Sequence, residues 1–80
     1  MSAYTHYMKV DPSVCYAVWE GRKTFEFRKA SCGVKVNDLV ILQEWDGLEF
    51  SGRKVGPVKV AYILEGGVFG IPKDYLIFCW

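Results

Sequence analysis

Eighty residues, about half of them apolar and including three Trp, five Tyr and five Phe, describe one small globular domain (1–80) and exclude a disordered chain. Ten basic against nine acidic residues leave a formal charge of +1, which excludes a protein that coats many phosphates, unless its charges are strongly segregated. No apolar run approaches the roughly 18 residues of a membrane span, and MSAYTHYMKVD lacks the apolar core of a signal peptide, so a cytoplasmic protein is expected, with no membrane partner.

In chain order, YTHYMKV (4–10) reads as a first strand. DPSVCYAVWEG (11–21) reads as a short helix. Asp11 stands at the N-cap, Pro12 at the first helical position and Gly21 where a helix stops. Val14, Cys15, Val18 and Trp19 make its apolar stripe. TFEFR (24–28) alternates with period two, the signature of a strand, which predicts Phe25 and Phe27 facing the core and Thr24, Glu26 and Arg28 sharing the other face. Residues 29–37 read as a loop with a short extended VKV that ends in an Asn-Asp turn. DLVILQEW (38–45) is the strongest strand, apolar on both faces from Leu39 to Leu42, as a strand covered on both sides would be. DGLEFSGRKVG reads as a long hairpin connection, VKVAYIL (58–64) as a returning strand, EGGVFGIPKD as a Gly-rich loop and YLIFCW as the last strand. Five or six short strands with one early helix predict an α+β, mainly β fold: a small, highly curved mixed β-barrel plugged at one end by the helix.

Cys15, Cys32 and Cys79 are odd in number, widely spaced and without a CxxC pair. That pattern argues against a disulfide framework and, with His6 the lone histidine, against a metal site. Reduced thiols are expected, Cys15 and Cys79 as core fillers and Cys32 as the most exposed. Neither a cofactor nor a metal is expected.

The stretch EGRKTFEFRKA (20–30) concentrates the candidate chemistry. It is either an ordinary amphipathic strand or a strand that delivers Lys23, Glu26 and Arg28 to a ligand. Lys23 suits a phosphate contact, or acid/base work if burial shifts its pKa. Glu26 suits a base or ribose donor and Arg28 a bidentate phosphate contact, while their plain alternative is a surface ion pair worth about 0–1 kcal/mol. Trp45 is a core or lid residue or a base-stacking ring, and Asp46 before Gly47 is a turn residue or a reader of an exocyclic amine. Gly66, Gly67 and Phe69, in GGVFG, belong to a flexible turn or to a backbone nest for an anion. His6 and Arg53 are further candidates, as a proton carrier and a nucleic-acid contact.

The order of motifs, from His6 and MKV through GRKTFEFRK, VKVNDLVILQEWD, Ser51-Gly52-Arg53 and YILEGGVFG to the closing strand, resembles the DUF3850 family of bacterial and phage proteins, within the ASCH/PUA-like superfamily. The resemblance runs over residues 6–79. It implies a PUA-like pseudobarrel with a cleft beside the helix and the strand after it, and a ligand such as RNA, a nucleotide or a modified base. Some ASCH proteins that resemble this chain at the GRKT turn hydrolyse the acetyl amide of an acetylated cytidine with a Lys, a Thr and a Glu. Lys23 matches that Lys, but Glu26 stands at the position of that Thr. Three functions are therefore carried forward: an RNA- or nucleotide-binding module, a small amidohydrolase using Lys23 and Glu26, and a protein-interaction module. A monomer or weak homodimer is expected.

Overall fold

The computed structural model describes residues 3–80. Its elements are β1 (Thr5–Val10), α1 (Pro12–Trp19), β2 (Phe25–Lys29), a 3-10 turn (Ala30–Cys32), β3 (Leu39–Trp45), β4 (Phe50–Lys59), β5 (Tyr62–Glu65) and β6 (Tyr75–Cys79). Pro12 opens α1 as expected, and Asp11 precedes it in extended backbone but makes no side-chain cap bond. Glu20 closes the helix, and Gly21 follows at φ 79°.

The strands form two three-stranded sheets, ordered β1-β3-β4 and β2-β6-β5, and no closed barrel forms among the described residues. β1 runs parallel to β3 and every other pairing is antiparallel, so the first sheet is mixed. The inner faces of the two sheets and α1 enclose one core. Met8, Val10, Val40 and Leu42 come from the first sheet, Leu76 and Phe78 from the second, and Cys15 and Val18 from the helix.

Three expectations are corrected. First, the segment expected as a long hairpin connection is mostly strand: β4 begins at Phe50, and Phe50 pairs with Trp45 across a tight turn. Register shifts along the β3–β4 ladder admit the Gly52 and Gly56 backbones, both at positive φ, where a strand pattern is hard to recognise. Second, the expected strand 58–64 is divided between the sheets. The chain leaves the first sheet at Lys59, Val60 is buried at the corner with its N–H on the Asp38 carbonyl, and Ala61 donates to Cys79 of the second sheet.

The third correction inverts β2. Glu26 lies opposite Phe78 and Arg28 opposite Leu76. Phe78 and Leu76 point into the core, so Glu26 and Arg28 do too, because directly opposed residues share a face. Phe25 and Phe27 point outward and are each 47% exposed, while Glu26 is only 5% exposed. Backbone bonds from Trp80 to the Thr24 carbonyl and from Ala30 to the Asp74 carbonyl pin this register at both ends. A one-residue slip would restore the expected faces but would turn β2's ladder against β6 out of phase. Cys79 is also corrected, from a core filler to a half-buried residue on the outer face of β6, and Cys32 is half-buried rather than exposed. Likewise β3 is covered on one face only, with Val40 and Leu42 fully buried and Leu39 and Ile41 half-exposed.

Candidate functional site

The inversion of β2 brings Lys23, Glu26 and Arg28 together. Lys23 Nζ donates to Glu26 Oε1 at 2.7 Å, and Arg28 Nε donates to Glu26 Oε2 at 3.0 Å. Each carboxylate oxygen therefore has its own cation. Lys23 also donates to the Phe25 carbonyl, and Arg28 Nη2 reaches across to the Lys9 carbonyl of β1 at 2.6 Å. The clamp borders an open cleft of about 380 Å³ between the free edge of β2 and the β1–α1 junction, lined also by Lys9, Asp11, Val14 and Phe27.

The edge of β2 adds backbone chemistry. The bonds at Thr24 and Ala30 set an alternation that turns the backbone groups of Thr24, Glu26, Arg28 and Ala30 toward β6. Those of Phe25 and Phe27 consequently face the cleft side, where Lys23 caps the Phe25 carbonyl. The Phe27 N–H and C=O are left as an adjacent donor and acceptor, the pattern that reads an amide or a nucleobase edge.

A second concavity of about 390 Å³ lies between α1 and β4, lined by Cys15, Trp19, Glu44, Arg53 and Val55 among others. It is the more apolar of the two. Burial, reinforced by Glu44 and opposed by Arg53, raises the Cys15 thiol above its ordinary pKa. It is therefore a poor nucleophile at neutral pH.

The other candidate residues disperse. Trp45 packs edge-on against Phe50 with ring centroids 4.8 Å apart, and the Lys9 ammonium sits 4.3 Å from the Trp45 ring centre. Asp46 accepts the N–H groups of Leu48 and Glu49, which lowers its pKa and marks it as a turn residue. The Gly66 and Gly67 N–H groups are spent on Tyr75 and Ile71, so these two donors do not converge into an anion nest. Gly66 is required for another reason: a Cβ there would sit 1.9 Å from the Pro72 carbonyl oxygen. Phe69 projects into solvent from left-handed backbone at φ 51°. Arg53 borders the apolar concavity, away from the clamp.

His6 does find a partner, and it is one that sequence reasoning missed. Its Nε2 lies 2.7 Å from Oδ2 of buried Asp38, which also accepts the N–H groups of Tyr4 and Lys35. The ionised carboxylate only accepts, so Nε2 carries the hydrogen. The His6 hydrogen bond, followed by those from the two backbone N–H groups, holds the Asp38 pKa below its ordinary value despite burial. Asp38 follows Asn37 in what reads as a simple turn, and nothing local marks it as buried. No group of three His, Cys, Asp or Glu side chains able to hold a metal occurs among the described residues, and no described helix is long and apolar enough to cross a membrane.

With this geometry established, comparison with known proteins identifies the group. A family model described as "Domain of unknown function (DUF3850)" matches residues 5–79. The chain belongs to the DUF3850 family. It is also similar to an uncharacterized 12.9 kDa protein of Escherichia phage P2, encoded in the GpA 3′ region, at 40% identity over 55 residues. That match covers 69% of this chain and 50% of the phage protein, so the chain spans about half the length of its curated relative. Residues 5–79, shared with the DUF3850 model, include the clamp, the cleft and the His6–Asp38 pair.

Proposed function

We propose that this DUF3850 protein is a binding module for RNA, a nucleotide or a modified base, seated in the cleft beside β2. One observation carries the reading: a carboxylate only 5% exposed is directed at a cleft between two cations. A buried ion cluster is a poor device for stability, because desolvation cancels most of the Coulomb gain and apolar replacements are often as stable or more so. Its placement beside an open cleft is what a polar recognition site requires. Lys23 and Arg28 suit a phosphate, and the Phe27 N–H and C=O suit a base edge. The ASCH/PUA-like resemblance, with its pseudobarrel and RNA-type ligands, points to the same cleft.

The test is an amide NMR titration with nucleosides and nucleotides, including acetylated and methylated cytidines. Expected are shifts clustered on Lys9, Lys23, Glu26, Phe27 and Arg28, with at least tenfold weaker binding in Lys23→Ala, the loss of one charge-assisted hydrogen bond. No shift with any member at millimolar concentration would remove the cleft reading. The Lys23–Glu26 contact of 2.7 Å also meets the geometric demand of an acid/base pair, so each mixture is checked for hydrolysis. Turnover that survives Lys23→Ala would eliminate Lys23 as its catalytic residue.

A second reading, an interaction module, draws on the outer face of β2-β6-β5. Phe25, Cys79 and Tyr62 form one row across that face, and Phe27, Ile77 and Leu64 the next. Phe27 stacks on Tyr75 at 4.9 Å, and Lys29 is the lone charged residue directed to this side of β2. Aromatic side chains present roughly 150–250 Å² each, so Phe25, Phe27 and Tyr62 at 47%, 47% and 60% exposure contribute about 300 Å². Two such faces together offer about 600 Å² of aromatic surface, well short of the ~1,000 Å² of a specific interface, so the occupant they fit is a second copy held weakly. Sedimentation over a concentration series should show association at high micromolar concentration that Tyr62→Lys abolishes; a monomer at every concentration would sink this reading.

A further inference from the structure

The opposite surface of the molecule differs in kind. On the outer face of β1-β3-β4, strand alternation and register bring together three lysines and three aromatic rings. Lys9 and Lys54 flank Gln43 in one row, and Lys59 lies beside Leu39 in another. Tyr7 stands between those rows at 61% exposure, and the Trp45–Phe50 pair closes the end. None of the three lysines is ion-paired among the described residues, whose salt bridges involve other groups. No carboxylate belongs to this face of the strands: Glu44 points inward with Val10, and Asp46 and exposed Glu49 lie in the turn beyond, where one Asp46 carboxylate oxygen accepts the N–H groups of Leu48 and Glu49. The near-neutral total thus conceals a segregated basic surface.

We infer that this face is a track for single-stranded nucleic acid that leads into the cleft. The exposed rings of Tyr7 and Phe50, with half-buried Trp45 beside them, offer stacking surfaces to any base, and lysines free of ion pairs interleaved with them meet the phosphates. Lys9 joins the two regions: its ammonium lies over Trp45 on the track, and the same residue lines the cleft, where its carbonyl accepts from Arg28. The inference rests on the cleft reading and deepens it, from one nucleotide to a strand whose terminal or unstacked base enters the cleft. The four cross-strand rows, about 6.7 Å apart along the strands, suit a short site, on the order of four nucleotides.

The experiment is fluorescence anisotropy with labelled ten-nucleotide oligo(dT) and oligo(U), the matching duplexes and polyglutamate. The three track lysines should contribute about −2 to the salt slope of single-strand binding, about −0.7 for each neutralised phosphate, beside any phosphate held by Lys23 and Arg28. Lys54→Glu with Lys59→Glu should make the slope shallower by about 1.4. Phe50→Ala, at an exposed ring, should weaken binding about tenfold. Neither substitution should change mononucleotide shifts at Lys23 and Arg28, and Lys23→Ala should weaken the mononucleotide more than the oligomer. Equal affinity for duplex or polyglutamate, or oligomer binding no tighter than that of a mononucleotide, would overturn the track while leaving the cleft intact. An oligomer that binds normally to the Lys54/Lys59 and Phe50 variants would do the same. Amide shifts of the wild-type chain, mapped with the oligomer, decide the matter even if a variant fails to fold: they must fall on Tyr7, Lys9, Trp45, Phe50 and Lys59.

Discussion

Glu26→Ala should lower the unfolding free energy by about 2–3 kcal/mol, below the roughly 3–5 kcal/mol for breaking a fully buried ion pair. The carboxylate side chain is 7% exposed and holds two cations, whose own side chains remain 21% and 27% exposed. Removing it strands Lys23 and Arg28 in a partly dry environment, but water reaches them from the cleft, which discounts the full penalty. At 4–8 °C per kcal/mol for a chain of this size, the melting temperature should fall by roughly 10–20 °C. Urea unfolding monitored by Trp fluorescence would measure it, with the m-value unchanged if the fold persists. The contrasting variant is more telling. Glu26→Leu combined with Lys23→Met and Arg28→Met should be at least as stable as the wild type, because the core side of β2 then meets Phe78 and Leu76 with apolar groups. That protein should have lost its nucleotide-dependent shifts. A marked instability of the triple variant would mean that the clamp serves folding, and would remove the main argument for a polar recognition site.

Asp38→Ala should cost about 3 kcal/mol. Its carboxylate accepts from Tyr4 N at 3.2 Å, Lys35 N at 3.0 Å and His6 Nε2 at 2.7 Å. Hydrogen bonds to a charged group contribute about 1.5–3 kcal/mol each, and three on one group are not additive. The loss falls where the parallel β1–β3 pairing begins, since Tyr4 and His6 belong to one strand's start and Asp38 to the other's. Asp38→Asn keeps the shape and should cost less. The pH dependence follows from the depressed pKa. The folded state holds the carboxylate ionised to lower pH than the unfolded chain does, so this contribution is complete above the ordinary carboxylate value of about 3.9 and is lost as pH falls through the folded pKa. Urea midpoints between about pH 2.5 and 6 should therefore decline on the acid side in the wild type and be flatter in Asp38→Asn; identical acid limbs would show that Asp38 titrates alike in both states.

The surface that would carry a strand illustrates how charge counting misleads. A formal +1 over the chain says nothing of where the charges lie. The two sheets sort them: the outer face of β2-β6-β5 is nearly uncharged, while Lys9, Lys54 and Lys59 collect on the outer face of β1-β3-β4. Only strand pairing determines that sorting: Lys54 comes from a segment whose sequence reads as a connection, and Lys59 from the expected strand 58–64, which the two sheets divide between them.

The sequence by itself indicated the helix, the strands β1, β2, β3 and β6, and the family, but not where β4 begins or where it gives way to β5. Pro12 and Gly21 bracket a helix that forms essentially where expected. The apolar run after Asp38 builds the strand at the centre of its sheet, and GRKTFEFRK with VKVNDLVILQEWD suffices to indicate DUF3850. It also put Lys23, Glu26 and Arg28 forward as a group. Tertiary structure alone decided which way they face. Alternation in TFEFR carries a period but no sign, because two Phe on one side and Glu with Arg on the other read equally well inside out. Pairing with β6 supplies the sign: Phe78 and Leu76 must fill the core, and their opposed neighbours Glu26 and Arg28 go in with them. Asp38 was illegible for a related reason. Lys35 is a local donor three residues away, but the other two come from residues 4 and 6, and only the β1–β3 ladder brings residues so distant in sequence to this carboxylate.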